Sequence, residues 1–399
     1  MSKNEKKASL PRTRVLIVGM LDSVHLARWL GQFRNEEIDF VIFGSKKYKN
    51  LHPQLTELLD SNQGARYGLA FCPLARSASG YLDFLVFELG KRLYFFKNRV
   101  RFLESLLESE SFQFVHALEI QGAGYLINEI RMELLTKQKV IVTNWGSDIF
   151  FYTRFAAHRN LIMSVLSKAN YYSAECVRDY SLASQNGFRG EFLPCIPNAG
   201  GFNLSQRTSR FVPPSMREQI LIKGYGGTFG RADLSISLIP VIAEENPNIH
   251  FHVYSVTDDV LELLSQMPAK FKSRIRITTI HNRLSHQEML SEFEKSRIYV
   301  GFSESDGIST SFIESLICGA YPIQTNTSCA EEWVKKGAIA SVIDLDSELL
   351  IREVREVVSD NQFLDHASVR NYKVARENLD YKYIQNLALQ FYRASNQTF

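Results

Sequence analysis

The sequence carries little excess charge of either sign. Its 399 residues include 46 basic and 43 acidic side chains, which gives a formal net charge of +3. Proteins that bind nucleic acid usually have a stronger or more clustered excess of Lys and Arg, because neutralising phosphates drives that binding. We therefore expect no nucleic-acid partner.

Cysteine is scarce and forms no Cys-x-x-Cys pair. An odd number of scattered cysteines argues against a disulfide framework and against a zinc site, and favours buried or free thiols in a reducing compartment. We therefore predict a cytoplasmic protein without a metal site. The five residues are Cys72, Cys176, Cys195, Cys318 and Cys329.

Long apolar runs are missing as well. No stretch approaches the roughly 20 apolar residues that cross a bilayer. The apolar run from Val15 to Met20 is too short for the core of a signal peptide and follows a basic, polar tail, residues 1–13, which we predict to be disordered. Any membrane contact would be peripheral, on the inner face.

The sequence does contain a regular alternation of apolar strand and helix patterns. The first strand, Arg14–Gly19, ends at a glycine and precedes a helical pattern from Val24 to Phe33. This opening and its repetition predict an α/β fold with doubly wound parallel sheets covered by helices on both faces. A chain of this length predicts two domains of roughly 200 residues each.

A linker composition marks the boundary between these domains. Residues 194–214 hold four prolines and two glycines among polar residues, which is typical of a connection between domains. We predict an N-terminal Rossmann-like domain at 14–205 and a second one at 215–380. The last segment, 381–399, is predicted to be a helix that packs back on the first domain.

One strand–loop–helix segment, residues 301–319, is the most informative part of the sequence. Its loop precedes a helix start near Ser309–Ser311, and Ser311 with Glu314 has the spacing of a capping box. The free N–H groups of such a helix start suit a diphosphate, and Glu314 could accept hydrogen bonds from ribose hydroxyls. Asp306 could reach a sugar beside the phosphates. An ordinary capped helix with solvated acids has the same pattern.

A second glycine-rich loop joins a strand to a helix in residues 220–231. Its glycines would let the backbone approach a ligand, and Arg231 could offer a fork of donors to phosphate. Phe229 stands where a dinucleotide fingerprint needs its third glycine, so this loop is a weak match to that motif. A tight turn with a surface arginine is the simpler interpretation.

Four segments together resemble the family-4 retaining glycosyltransferases of the GT-B fold. They read SESDGISTSFIESLICGAYPIQTNTSCAEEW, KGYGGTFGRA, VTNWGSDIF and IPNAGGFN, and the similarity covers most of the chain in the right order. The resemblance implies two Rossmann-like domains that face an interdomain cleft, with acceptor bound mainly to the first and donor to the second. It implies a hexosyltransferase that is independent of metal and of cofactors, and uses a nucleotide-sugar donor, with UDP-sugar favoured.

The family also implies roles for individual residues. Two glutamates with seven residues between them flank the donor, and here they correspond to Asp306, for the transferred sugar, and Glu314, for the ribose. A basic pair binds the diphosphate, and here Arg231 is the candidate arginine and Lys223 the candidate lysine. The expected catalytic residues are Asp306, Glu314 and Arg231. The expected donor-binding residues are Lys223, Gly226, Gly227, Arg231, Asp306, Gly307, Ser309, Thr310, Ser311 and Glu314.

The acceptor side departs from the family pattern. Many relatives carry a histidine after the fourth strand, where this sequence has Trp145. Two histidines, His25 and His116, are expected at the carboxyl ends of buried strands, where open α/β sheets bind ligands. The acceptor-side candidates are His25, His116, Trp145, Ser147 and Asp148.

The acceptor itself would be a glycan or a lipid-linked molecule, and bacterial surface polysaccharide synthesis is the commonest role in the family. The basic amphipathic stretch 90–103 could rest on an anionic membrane, or be a domain helix with a solvated face.

Two alternatives to a transferase stay open. One is a catalytically silent GT-B subunit that binds nucleotide and scaffolds a partner; the other is a different enzyme of this fold, such as a nucleotide-sugar epimerase.

Overall fold

A computed structural model of the chain describes residues 12–61, 64–70, 91–204 and 212–393, with the backbone alone for 91–98. The chain divides into two compact units, between which it passes more than once. The first unit contains the chain up to Ala174, then Asp179–Ile196, and the chain from Gln385 onward. The second unit contains Glu175–Arg178 and Pro197–Ile384.

The first unit contains a seven-stranded sheet whose strands are all parallel, in the order β3-β2-β1-β4-β5-β6-β7. The strands are β1 Thr13–Gly19, β2 Ile38–Gly44, β3 Arg66–Leu69, β4 Phe114–Leu118, β5 Lys139–Thr143, β6 Tyr171–Ser173 and β7 Glu191–Phe192. Its helices are α1 Val24–Gly31, α2 Pro53–Leu59, α3 Lys91–Ser109, α4 Tyr125–Asn128, α5 Met132–Leu135, α6 Ser147–Phe150, α7 Ala156–Lys168 and most of α8 Val177–Gln185.

The second unit contains a six-stranded parallel sheet in the order β10-β9-β8-β11-β12-β13. The strands are β8 Gln219–Lys223, β9 His250–Val256, β10 Ile275–Thr279, β11 Ser296–Gly301, β12 Tyr321–Thr325 and β13 Ser341–Ile343. The helices are α9 Ala232–Ser235, α10 Leu238–Glu245, α11 Asp258–Ser265, α12 Ala269–Lys272, α13 His286–Lys295, α14 Thr310–Cys318, α15 Ala330–Lys335, α16 Ser347–Val358, α17 Asn361–Leu379 and the start of α18 Tyr381–Gln390.

The predicted fold class, two doubly wound parallel-sheet α/β domains, is confirmed. Its physical basis is visible in β1, where Val15 to Val18 are fully buried because helices cover both faces of the sheet. Strands β3 and β7 escaped the sequence analysis. Residues of β3 are alternately exposed and buried and those of β7 are exposed, so neither strand gives the continuous apolar run that marks a buried strand.

The C-terminal segment contributes aromatic side chains to the core of the first unit. Phe391 and Tyr392 are buried, and the Tyr392 hydroxyl accepts a hydrogen bond from the indole nitrogen of Trp29 at 3.1 Å. Rings of Phe33 and Phe114 lie within 5.5 Å of the Tyr392 ring, centroid to centroid. These contacts join the end of the chain to its beginning, since Trp29 lies on α1.

None of the helices in the described part of the chain combines the length and apolar character needed to cross a lipid bilayer. The predicted basic amphipathic stretch falls mostly within helix α3, Lys91–Ser109. Gly90 and the side chains of residues 91–98 lie outside the described residues, so the suggested membrane contact stays a prediction.

Candidate functional site

The strand order of the second sheet reverses between β8 and β11. From β8 the chain continues to β9 on one side, and from β11 it continues to β12 on the other. Ligands of open α/β sheets bind at the carboxyl ends of the strands where this reversal occurs. The two loops at this edge are called here the glycine loop, Gly224–Arg231, and the acidic loop, Phe302–Ser309.

Backbone hydrogen bonds join the glycine loop to the acidic loop. The Arg231 N–H donates to the Phe302 carbonyl at 3.1 Å, and the Glu304 N–H donates to the Phe229 carbonyl at 2.7 Å. Gly230 and Ser303 form an antiparallel bridge between these bonds. The two segments singled out from the sequence therefore form one structure at the switch point.

The glycines of the first loop are required by its backbone. Gly227 has a φ of 74°, in the left-handed region that other residues rarely adopt. A Cβ atom on Gly230 would overlap the carbonyl oxygen of Tyr225. A side chain at either position would therefore disrupt the tight turn of the glycine loop, which allows that loop to contact the acidic loop.

The glycine loop is hydrogen-bonded to residues at the N-terminal end of helix α11. The Gly226 N–H donates to the Thr257 hydroxyl at 3.0 Å, and the Gly227 N–H donates to Asp259 at 3.3 Å. Bonds from the Thr257 hydroxyl and from backbone amides lower the pKa of Asp259. The pair Asp258-Asp259 forms the first turn of α11, a position that favours carboxylates because the helix N-terminus carries partial positive charge.

Helix α14 starts where the sequence predicts but is capped differently. Its N-cap is Ser309, whose side chain makes no capping bond. The predicted capping box is wrong, because Ser311 already lies inside the helix and its hydroxyl accepts from Tyr254 at 2.6 Å. The helix ends at Gly319, which adopts a φ of 76°, the left-handed conformation common at helix C-termini. The first-turn N–H groups of α14 lack intrahelical acceptors and face the end of the acidic loop.

Lys223, at the end of β8, brings a positive charge to the same edge. Its Nζ lies 3.9 Å from the Asp306 carboxylate, and both side chains are about one-quarter exposed. Burial is the largest single effect and lowers the pKa of Lys223, but the combined electrostatic effect of nearby groups, Asp306 foremost, outweighs burial and raises that pKa. Lys223 is therefore an ammonium ion at neutral pH, beside an acidic residue and within reach of solvent.

Glu314 is buried in α14 and is bonded to a histidine that the sequence analysis did not select. Its Oε1 lies 2.8 Å from Nε2 of His286, the first residue of α13. The Glu314 side chain is 6% exposed and that of His286 is 41% exposed. Among the described residues, no group donates a hydrogen bond to Oε2 of Glu314.

Arg231 lies at the end of the glycine loop but already has two acidic partners. Its guanidinium donates to Asp233 through Nε at 3.0 Å and to Glu304 through Nη1 at 2.8 Å. Hydrogen bonds to Asp233 and to Glu304 raise the pKa of Arg231 above its ordinary value. A phosphate bound to this guanidinium would have to displace one of the two carboxylates.

A cysteine pair stabilises the acidic loop from the other side. The structure joins Cys176 and Cys329 by a disulfide between residues 153 apart in sequence. The Cys329 N–H also donates to the Gly307 carbonyl at 2.9 Å. The expectation of isolated thiols is wrong for these two residues; the fold places distant cysteines together, which spacing in the sequence does not reveal. Cys72 lies outside the described residues.

Arg178 connects the segment Glu175–Arg178, which also contains Cys176, to the acidic loop. Its guanidinium donates to the Asp306 carbonyl at 3.0 Å and to the Thr327 carbonyl at 3.1 Å. Glu332 accepts hydrogen bonds from the N–H groups of Val177 and Arg178 at 3.0 and 2.9 Å. The backbone at Asp306 is thus held by a side chain that is remote in sequence.

The first unit has its own acidic cluster, at the carboxyl edge of its sheet. Glu119 follows β4, is buried, and adopts a φ of 95°, which is unusual for a residue with a side chain. Its carboxylate accepts from the N–H groups of Gly122 and Ala123 at 2.7 and 2.8 Å, and Lys46 lies 3.6 Å away. Glu119 escaped the sequence analysis because only the folded turn brings those amides to it.

Asp148, an acceptor-side candidate, is buried beside this turn. Its Oδ2 accepts from the N–H groups of Ile120 at 2.8 Å and Trp145 at 3.0 Å. Burial, and then the nearby charge of Glu119, raise the pKa of Asp148 to about 8. The side chain therefore connects two loops and is protonated through much of the neutral pH range.

The remaining acceptor-side candidates have different surroundings. His116 is fully buried, between the Tyr392 hydroxyl at 2.8 Å and the Thr143 hydroxyl at 2.7 Å. Burial lowers the pKa of His116 to about 3. The expectation that it faces a ligand is wrong, because aromatic packing encloses it. The rings of His25 and Trp145 lie 5.4 Å apart, and Ser147, at the start of α6, is half-buried.

No protein-family model and no curated protein matches the sequence. Solved structures do match over nearly the whole chain. HepE from Anabaena, in complex with UDP-glucose, is 12% identical with a TM-score of 0.66, over 96% of this chain and 100% of that chain. Sucrose-phosphate synthase from Thermosynechococcus elongatus is 11% identical with a TM-score of 0.66, over 96% and 99%. This chain has the GT-B fold.

A further GT-B structure, the pneumococcal O-GlcNAc transferase GtfA in complex with UDP and GlcNAc, is similar over a smaller part of the molecule. It is 12% identical with a TM-score of 0.57, over 74% of this chain and 60% of that chain. At these identities the similarity establishes the fold alone. The two parallel sheets that the sequence pattern predicts are those of the GT-B fold.

The GT-B fold brings together most of the residues predicted for donor binding. Lys223, the glycine loop, the acidic loop and Glu314 all lie at the reversal between β8 and β11. Three groups there were missed: His286, Arg178 and the Cys176–Cys329 pair. One signal for His286 was available, since Ser285 and Glu288 form a capping box that places it at the first position of a helix.

Proposed function

We propose that this protein is a retaining glycosyltransferase that moves a sugar from a nucleotide-diphosphate donor to a glycan or lipid-linked acceptor. The observation that carries the proposal is the switch point of the second sheet. There a lysine charge, the start of α14 and a buried carboxylate with one open oxygen are placed on two joined loops. These are the groups that a diphosphate and a ribose require.

Each part of the donor has a candidate partner. Glu314 would accept hydrogen bonds from ribose hydroxyls, and Asp306 would contact the transferred sugar. The diphosphate would lie against Lys223, Arg231 and the amides of Ser309–Ser311. Gly226, Gly227 and Gly307 would let the backbone approach it, and Thr310 would add a hydroxyl at the helix start.

Positive groups at this position would also promote the reaction. When the bond between the sugar and the diphosphate breaks, negative charge grows on the departing phosphate oxygens. Preorganised donors stabilise that charge without having to rearrange. Lys223 fits this role because nearby groups, Asp306 foremost, together raise its pKa and favour its charged form. The proposal requires neither a metal nor a cofactor besides the nucleotide sugar.

Structures of similar fold support this choice of ligand. HepE was captured with UDP and with UDP-glucose, and GtfA with UDP and GlcNAc. We therefore favour a UDP-sugar as the donor and a hexose as the transferred group. A cytoplasmic role in bacterial surface polysaccharide synthesis is part of the proposal.

A panel of nucleotides and nucleotide sugars tests the proposal. Binding is scored by thermal shift and calorimetry, and turnover by release of nucleoside diphosphate. We expect one donor to raise the melting temperature and to release diphosphate slowly. Glu314→Ala should weaken that donor about tenfold or more, the range for hydrogen bonds to a charged group, without unfolding the protein. If no nucleotide binds, the proposal is wrong.

A silent GT-B subunit remains the second candidate, because Asp306, shorter than the glutamate of the family pattern, is already paired with Lys223. Such a subunit would bind nucleotide but release no diphosphate with any acceptor. Asp306→Glu separates the two cases. In an enzyme it should keep or raise turnover, whereas in a silent subunit turnover stays absent. A nucleotide-sugar epimerase would be recognised by a change in the sugar of the recovered donor.

A further inference from the structure

The carboxylate of Glu314 is unusual for a buried acid because only one of its oxygens is engaged. Buried charged groups normally have several hydrogen-bond partners, since an unpaired charge away from water is costly. Here Oε1 is bonded to His286, while in the described part of the chain nothing donates to Oε2. The open oxygen is available to a ligand with hydroxyl donors.

The backbone of His286 is held by a helix cap. It is the first residue of α13, directly after Ser285, whose hydroxyl accepts from the Glu288 N–H while the Glu288 carboxylate accepts from the Ser285 N–H. The imidazole ring also lies 6.3 Å from the ring of Phe202, centroid to centroid. The helix start therefore fixes the backbone from which the ring extends to Glu314.

The direction of the hydrogen bond follows from its chemistry. A carboxylate oxygen accepts and a ring N–H donates, so the hydrogen bond runs from Nε2 of His286 to Oε1 of Glu314. That bond fixes the rotation of the carboxylate about its last torsion, which is otherwise broad. With Oε1 fixed, the direction of Oε2 is fixed as well.

We propose that His286 is a positioning residue that holds the Glu314 carboxylate in the orientation needed to accept hydrogen bonds from the ribose diol of the donor. The inference rests on the proposed function, and it names the sugar of the nucleotide as the part recognised here. His286 acts through Glu314 and need not touch the donor. Its contribution is to remove the rotational freedom that binding would otherwise have to restrict.

The experiment compares ribonucleotides with their 2′-deoxy forms. The probes are UDP and 2′-deoxy-UDP, with the ADP and GDP pairs measured in parallel to identify the base that the 399-residue chain prefers. Calorimetry gives the dissociation constants for the wild type, His286→Ala, His286→Gln and Glu314→Gln. The matched control is His281→Ala, since His281 is an exposed histidine in the loop before α13 and lies 3.1 Å from Asp258 rather than beside Glu314.

We expect the wild type to prefer the ribonucleotide by about tenfold, the effect of one hydrogen bond to a charged group. His286→Ala should reduce this preference, because it weakens binding of the ribonucleotide, which offers both hydroxyls, more than binding of the 2′-deoxy form, which keeps only the 3′-hydroxyl. His286→Gln, which retains an N–H donor, should recover part of the preference. Glu314→Gln should lose it, and His281→Ala should keep it. In turnover, His286→Ala should raise KM and leave kcat nearly unchanged.

Three results would overturn the inference: a preference that is undiminished in His286→Ala, an equal loss for both nucleotide forms, or a wild type that binds both forms equally. In each of these cases nucleotide still binds, so the proposed function stands. If the wild type binds no nucleotide, the proposed function itself has failed. The two failures are therefore distinguishable within one set of titrations.

Discussion

The carboxyl edges of the two sheets both carry acidic residues, but these acids have different partners. In the first unit, Glu119 and Asp148 each accept two backbone N–H groups. In the second unit, Asp306 faces the ammonium of Lys223, and Glu314 has a single bond to His286. The first arrangement satisfies the backbone; the second leaves charge and one oxygen available. An acidic side chain indicates a binding site only when its carboxylate oxygens do not already accept hydrogen bonds from the backbone of its own loops.

The largest expected effect tests how far the second unit depends on its disulfide. Reduction, or Cys329→Ser, should destabilise this unit by about 3–5 kcal/mol, since the bond closes a very long segment of chain. Hydrogen exchange should speed up in β11, α14 and α15 and stay unchanged in the first sheet. Cys195→Ser, in the first unit, is the control. Equal melting temperatures with and without reductant would show that this bond does not contribute.

A smaller effect is expected from Asp148, which tests the structural role of the first-unit acids. Asp148→Ala should cost about 2–4 kcal/mol, because two buried N–H groups lose their acceptor. Asp148→Asn should cost less than about 1 kcal/mol, since the amide resembles the protonated acid and keeps an oxygen for both donors. Nucleotide affinity should be unchanged in both variants. An affinity loss would instead place Asp148 at the ligand.

The same residue predicts a pH dependence. Its folded pKa of about 8 lies above the reference value of 3.8, so the folded state holds a proton that the unfolded chain releases. Its contribution to stability is therefore fully present below about pH 4 and is lost as pH rises toward about 8. Chemical denaturation of the wild type and Asp148→Asn at pH 5 and pH 8 measures this. The wild type should lose more stability over that interval.

The smallest effect concerns the ammonium group of Lys223 in the second unit. Lys223→Met should lower the affinity for a nucleoside diphosphate about tenfold, which corresponds to about 1.4 kcal/mol, because a contact to phosphate is lost. The affinity for the corresponding nucleoside should not change. Lys270→Met, which removes an exposed lysine paired with Glu244, is the matched control. Calorimetry decides the outcome, and an equal loss for nucleoside and diphosphate would place Lys223 away from the phosphates.

Some features of the site could be read from the sequence and others could not. Asp306, Glu314 and the glycine loop were found because strand, loop and helix follow one another locally. His286 and Arg178 were missed because they reach the site from other strand–helix units, 28 and 128 residues away from their partners. His116 was misplaced because its enclosing residue Tyr392 comes from the far end of the chain.

The sequence by itself determined the alternation of buried strands and amphipathic helices, and hence two parallel sheets of the GT-B fold. It also determined which loops lie at the carboxyl ends of β8 and β11. Only the tertiary structure decided which acids are consumed by backbone amides, which cysteines meet, and which histidine fixes Glu314. Local order follows from periodicity along the chain, whereas hydrogen-bond partners depend on how distant segments pack, and no local pattern records that.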